Sequence, residues 1–263
     1  MEQNIPVVIL CGGKGTRLRE ETETKPKPMV EIGGKPILWH IMKLYAHQGF
    51  NNFVLCLGYK GHIIKHFFYN YGPLNNDFTI GLGNSNVDVH SGHSESDWSV
   101  TLADTGLETL KGGRIKKIEK YVKGDLFMLT YGDGVANIDL KKLIAFHKSH
   151  GKIATLTGVR PPSRFGELSI DGDRVVSFKE KPQVSTGLIN GGFMVLNRKI
   201  FNYLTTDDNC DFEFGPLEQL AKEGQLMVYK HDGEWACMDT YSCLLYTSDA
   251  ADELDGVDLG GRR

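Results

Sequence analysis

"IPVVILCGGKGTRL", Ile5 to Leu18, decides how this chain is read. The run from Ile5 to Leu10 has the length and branched apolar content of a buried strand. It passes directly into Gly12, Gly13 and Gly15, and then into Arg17. Glycines gather where backbone must turn sharply or approach something closely. Two familiar phosphate loops are excluded. The dinucleotide fingerprint needs glycines at first, third and sixth positions. Counted from Gly13 the sixth is Leu18, and counted from Gly12 the third is Lys14. The Walker pattern needs Ser or Thr after its lysine, and Lys14 is followed by Gly15. What remains is a nest of bare N–H groups suited to an anion, with a permanently charged planar fork in Arg17 beside it.

Outward from that loop, strand-like and helix-like stretches alternate. "PILWHIMKLYAHQG" has helical apolar spacing and stops at Gly49. "NFVLCLG" predicts a strand, "GHIIKHFFYNY" a helix, and "FMLTYGDG" a strand ending in a polar turn. "DLKKLIAFHKSHG" predicts a helix capped by Asp139, followed by the strand "IATLTGV". Such alternation predicts an α/β fold with a mostly parallel, Rossmann-like sheet and helices on both faces. Its ligands belong beyond the carboxyl ends of the strands. "FGELSIDGDRVVSFKEKP" reads as two short strands around "DGD", and "LINGGFMVL" as a third, together an antiparallel flap over about 160–197, over the sheet's edge, expected to carry substrate contacts. Between Asn75 and Gly113 lies a Gly/Ser/Asn-rich polar stretch, expected to be a long functional or mobile loop. Asp88, His90 and His93 in it read as solvated or inter-subunit residues rather than a metal site.

Composition narrows the class. The chain has 263 residues, 40% hydrophobic and 24% charged, with a formal net charge of -3. That fits a globular protein and gives no field for a nucleic acid, so any anion site must be built locally. Five scattered cysteines form no CxxC pair, which suits a reducing compartment. No basic leader or ~20-residue apolar span occurs, so the expectation is a cytoplasmic protein without membrane contact. The end differs in character. "CLLYTSDAADE", Cys243 to Glu253, resembles the translation of a sequencing adapter, and "LDGVDLGGRR" has no strand or helix period. Residues 1–241 are therefore expected to form one domain, with 242–263 a non-native-looking tail that packs against nothing.

"KPKPMVEIGGKP", Lys25 to Pro36, presents three lysines on a proline-stiffened segment, an arrangement suited to a polyphosphate. Together, "LCGGKGTRL" and "KPKPMVEIGGKPIL" resemble the sugar-nucleotide pyrophosphorylases, a nucleotidyltransferase family. "YGDG", "RFGEL", "FKEKP", "INGGF" and "MDT" follow in the family's order, so the resemblance spans Ile5 to Thr240. "LADTG", "GGRIKKI" and "LTYGDGVANID" bring it nearest to the branch that makes CDP-glucose from CTP and glucose 1-phosphate. Cys11 stands where the family usually has alanine.

The resemblance implies that a sugar 1-phosphate oxygen attacks the α-phosphorus of a nucleoside triphosphate and displaces pyrophosphate. It implies catalytic roles for Arg17 and Lys27, with Lys25 as the rival lysine. Nucleotide contacts fall to Leu10, Gly12, Gly13, Gly15, Thr16, Thr105, Gly113 and Arg114, the last two as candidate base readers. Sugar-phosphate contacts fall to Tyr131, Gly166, Glu180, Lys181 and Asn190. Asp133 and Asp239 are implied to clamp Mg²⁺, which prefers a few carboxylates together with phosphates and waters. A homo-oligomer is implied too. Use of UTP or dTTP with a hexose 1-phosphate stays open, as does a catalytically silent sugar-nucleotide-binding regulator.

Overall fold

The structure is a computed structural model and describes residues 5–15, 22–161, 167–171, 174–179 and 187–238. Seven strands form the central sheet: β1 (Val7–Cys11), β2 (Asn52–Leu57), β3 (Ser99–Asp104), β4 (Leu126–Tyr131), β5 (Ala154–Val159), β6 (Ile189–Asn197) and β7 (Leu226–His231). Their order across the sheet is β7-β5-β6-β4-β1-β2-β3. β4, β1, β2 and β3 run parallel, as do β5 and β7, while β6 is antiparallel to both of its neighbours.

β1 is buried along its whole length because both sheet faces are covered. With the strand period of two, Val7, Ile9 and Cys11 enter one apolar layer, and Val8 and Leu10 enter the other. β2 divides the same way, Phe53, Leu55 and Leu57 against Val54 and Cys56. The first layer is closed by helices α1 (Ile37–His47) and α2 (Gly61–Tyr69), and by α4 (Leu140–His150) through Leu140, Leu143 and Ile144. The second is closed by Ile115 of α3 (Lys111–Lys117), by Ile200 and Phe201, and by Leu220 of α5 (Glu218–Lys222). The Asp139 side chain accepts from the Lys142 N–H at 2.9 Å and caps α4 as the sequence predicts. Gly151, at φ 63°, ends that helix in the left-handed conformation.

Two expectations are revised. "LINGGFMVL" is not a flap strand; it is β6, an interior strand of the central sheet between β5 and β4. Of the expected flap, Glu167–Asp171 and Arg174–Lys179 form a separate antiparallel pair among the described residues. The polar stretch after Asn75 is not a plain loop. It contains a hairpin, Phe78–Gly81 with Asn86–Val89, and the edge strand β3. The expected tail at 242–263 lies outside the described residues. Among the described residues no helix is long and apolar enough to cross a membrane.

Candidate active site

At the carboxyl ends of β1 and β4 lies a cleft of about 690 Å³. Leu10, Gly12, Gly13 and Gly15 of the opening loop line it, with Lys27, Arg114, Tyr131, Asp133 and Asn190. The parallel β1–β4 pairing, in register from Val7 with Met128 to Leu10 with Tyr131, brings the two strand ends together. The Gly132 N–H donates to the Leu10 carbonyl at 3.1 Å and continues that pairing into the turn carrying Asp133.

Lys25 and Lys27 of the proline-stiffened segment have different surroundings. Lys27 Nζ donates to Asp133 Oδ2 at 2.6 Å, across 106 residues of sequence, with side-chain exposures of 12% and 28%. Lys25 Nζ instead sits 3.5 Å from Glu31 Oε1, and Lys25 does not line the cleft. The Lys27 segment is a short 3₁₀ turn, Lys27–Met29, held by Pro28 and Met29 buried beneath it.

Arg114 lines the cleft from a deeply buried position. It is 5% exposed. Its Nη1 donates to the Leu57 carbonyl (3.0 Å), Thr105 Oγ1 (2.8 Å) and the Gly106 carbonyl (2.7 Å). Its Nη2 donates to the carbonyls of Gly12 (3.1 Å) and Leu107 (3.2 Å). Burial lowers the guanidinium pKa from its ordinary value, while the surrounding acidic groups oppose that shift. A Cβ at Gly12 would stand 2.3 Å from the guanidinium carbon, so only glycine lets the loop close over it. The side chain thus ties the glycine loop to the ends of β2 and β3. Thr105 is 1% exposed and its hydroxyl donates to the Leu57 carbonyl at 2.6 Å. Gly113 faces the Asp207 carbonyl, 2.5 Å from where a Cβ would lie. Neither is among the residues that line the cleft.

On the other side of the cleft, Tyr131 and Asn190 meet. Asn190 Nδ2 donates to the Tyr131 hydroxyl at 3.2 Å, and the Gly192 N–H donates to Asn190 Oδ1 at 3.0 Å. Lys111 and Glu213 complete this wall and were not anticipated. The signal available was the Gly215–Pro216 interruption in "DFEFGPL", which breaks the backbone beside Glu213. Burial, then the Glu213 charge, raise the Tyr131 phenol above its ordinary pKa. Trp235 also lines the cleft, its Nε1–H donating to the Gly191 carbonyl at 2.8 Å. Thr16, Arg17, Gly166, Glu180, Lys181 and Asp239 lie outside the described residues. The described chain leads to the last of these: the Met238 N–H donates to the Asp133 carbonyl at 2.8 Å.

The nucleotidyl transferase family profile matches residues 6–240. Glucose-1-phosphate cytidylyltransferase of Salmonella typhi is 51% identical over 240 residues, 91% of this chain and 93% of that protein. A probable glucose-1-phosphate cytidylyltransferase of Bacillus subtilis is 49% identical over 90% of this chain and 92% of that one. The D-glycero-alpha-D-manno-heptose 1-phosphate guanylyltransferase of Campylobacter jejuni is 33% identical over 78% of this chain and 82% of its own. Among solved structures, HddC from Yersinia pseudotuberculosis superposes with a TM-score of 0.65 at 28% identity, covering 94% of this chain and 99% of that one. With the sheet order, the cleft at its carboxyl edge and these likenesses in agreement, the chain belongs to the nucleotidyl transferase family.

Proposed function

We propose that this protein transfers a cytidylyl group from CTP to glucose 1-phosphate, giving CDP-glucose and pyrophosphate. The observation that carries this reading is the Lys27–Asp133 contact, which joins the strand-end turn to the lysine segment inside the cleft. The half-identical cytidylyltransferases of two bacteria support the choice of base and sugar. The heptose guanylyltransferase, at 33% identity, is the reason base choice is tested rather than assumed.

The chemistry asks for little beyond positioning. A phosphate monoester with its second pKa near ~6 is largely dianionic at neutral pH and needs no general base. The difficulty is bringing two anions together and carrying charge off on pyrophosphate. The backbone of Gly12, Gly13 and Gly15 offers N–H groups to the triphosphate, with Arg17 following. Lys27 faces the α-phosphate. One unit-charge pair at 4 Å is worth about 4 kcal/mol at an effective dielectric of 20. Spent only in the transition state, that is roughly three powers of ten in rate. Tyr131 and Asn190 receive the hexose, with Gly166, Glu180 and Lys181 of the flap region completing the sugar-phosphate side. Arg114 acts by holding the glycine loop, not by reading cytosine.

Asp133 offers a hard carboxylate oxygen at the cleft, a donor of the kind Mg²⁺ takes, and few such donors suffice when phosphates and waters fill the remaining positions. Asp133 and Asp239 would hold the ion. When bound, it would neutralise charge on the phosphate oxygens. The protein is inferred to be a cytoplasmic homo-oligomer. The exposed Phe78, Ile80, Leu82 and Val87 around an isolated hairpin support an interface there.

The purified protein with CTP, glucose 1-phosphate and Mg²⁺ should yield CDP-glucose and pyrophosphate in equal amounts. Binding of CDP-glucose without turnover would favour the silent regulator instead.

A further inference from the structure

We propose that Glu213 fixes the hydrogen-bond polarity of the sugar-facing wall and thereby selects which hexose hydroxyls the site accepts. The inference rests on the reading of Tyr131 and Asn190 as sugar contacts.

Four side chains form one chain of hydrogen bonds along that wall. Tyr131 Oη donates to Glu213 Oε1 at 2.7 Å. Lys111 Nζ donates to the same carboxylate oxygen and stands 5.4 Å from the centre of the Tyr131 ring. Asn190 Nδ2 donates to Tyr131 Oη at 3.2 Å, and Asn190 Oδ1 is occupied by the Gly192 N–H at 3.0 Å. A carboxylate accepts and does not donate. The single phenolic hydrogen must therefore point to Glu213, and the Tyr131 oxygen meets the cleft only as an acceptor. The Asn190 amide is held by the Gly192 N–H on its oxygen and by the Tyr131 oxygen on its nitrogen, which leaves its second N–H as the donor beside that oxygen. The wall offers one acceptor beside one donor, the pair that a sugar hydroxyl satisfies by donating to one and accepting from the other. A wall left free to rotate its hydroxyl would accept either pattern and discriminate less.

The position of Glu213 is itself constrained. Asp211 Oδ1 accepts the backbone N–H groups of Glu213 (2.8 Å) and Phe214 (3.1 Å). Phe214 and Gly215 then leave helical conformation, Gly215 at φ 109°, before α5 begins. Glu213 Oε2 is buried and has no hydrogen-bond partner among the described residues.

Glu213 is a positioning residue, so its test must separate polarity from folding. Glu213→Gln keeps the shape and lets the amide donate, releasing the Tyr131 hydrogen. The parent, Glu213→Gln and Tyr131→Phe are compared on glucose 1-phosphate and on its 2-, 3-, 4- and 6-deoxy analogues. The Gln variant should raise KM for glucose 1-phosphate about tenfold or more, with KM for CTP within about twofold and melting unchanged. For one deoxy analogue, the penalty seen in the parent should shrink at least about fivefold in both variants. Equal penalties for every analogue in parent and variant, or a change confined to CTP, would overturn the inference. A parent that makes no nucleotide sugar would overturn the function, and this inference with it. An active parent with an indifferent Gln variant would overturn the inference alone.

Discussion

Replacing Arg114 with methionine separates two accounts of the same residue. The variant keeps an unbranched apolar stem while removing the guanidinium. Of its five acceptors, the Leu57 carbonyl keeps the Thr105 N–H and hydroxyl, and the Gly12 carbonyl keeps the Tyr59 N–H. The carbonyls of Gly106 and Leu107 lose the donors described above. An orphaned buried carbonyl costs about 1–3 kcal/mol, and Leu107, 55% exposed, can turn its carbonyl to water, so the Gly106 carbonyl carries most of the loss. The loss should therefore be about 2 kcal/mol. For a chain of this size about 2–4 °C accompanies each kcal/mol, so Tm should fall by about 4–8 °C. The Gly12 loop would also loosen, raising KM for CTP, UTP and dTTP together and leaving their ratio unchanged. Thermal unfolding by circular dichroism and a three-nucleotide kinetic comparison measure both effects. A variant that melts like the parent but changes its preference among the three bases would refute the structural account. It would restore Arg114 as a base reader.

Two other outcomes follow. Lys27→Ala should lower turnover at least about a hundredfold with folding intact, the scale for one preorganised charge donor. Lys25→Ala should stay near the parent, and the reverse ranking in steady-state assays would move the role to Lys25. The second concerns acid. His147, 2% exposed, and His150 both contact Thr155 Oγ1 at 2.8 Å, and burial lowers the His147 pKa to about 4. The unfolded chain takes up that proton near pH 6.5 and the folded one only near 4. Stability from neutral His147 is therefore full above about pH 6.5 and lost as pH falls towards 4, by about 3 kcal/mol. Urea midpoints at pH 7 and pH 4.5 should show that loss, and His147→Gln should reduce it. An equal loss in the variant would assign the acid sensitivity to other groups.

Local signals carried much of the fold. The fully apolar β1, the Asp139 cap and the glycine after His150 each have a short-range cause, and each element lies where the sequence predicts it. β3 escaped because Ser99–Asp104 is an edge strand with few apolar residues, indistinguishable from the polar stretch before it. β6 was placed in the flap because its neighbours in sequence are flap strands, whereas its partners in space, Leu129 and Val195's partner Met128, are some 65 residues away. At the site, the glycine loop, Lys27, Asp133, Tyr131 and Asn190 were legible from motif and order. Depth was not. Sequence cannot tell a guanidinium that faces solvent from one ringed by carbonyls, so the burial of Arg114, Thr105 and Gly113 was not foreseen. Glu213 was missed for the same reason: its meaning lies in Tyr131 and Lys111, which are distant along the chain.

The measurement closest to the central claim is a competition in one vessel. Equal concentrations of CTP, UTP, dTTP, GTP and ATP are offered with glucose 1-phosphate and Mg²⁺, and the nucleotide sugars are resolved by mass spectrometry during the first few per cent of conversion. CDP-glucose should exceed every other product by at least about a hundredfold, the discrimination expected when buried polar groups must match a base edge. Predominance of UDP-glucose or dTDP-glucose, or no nucleotide sugar from a folded protein, would contradict the account.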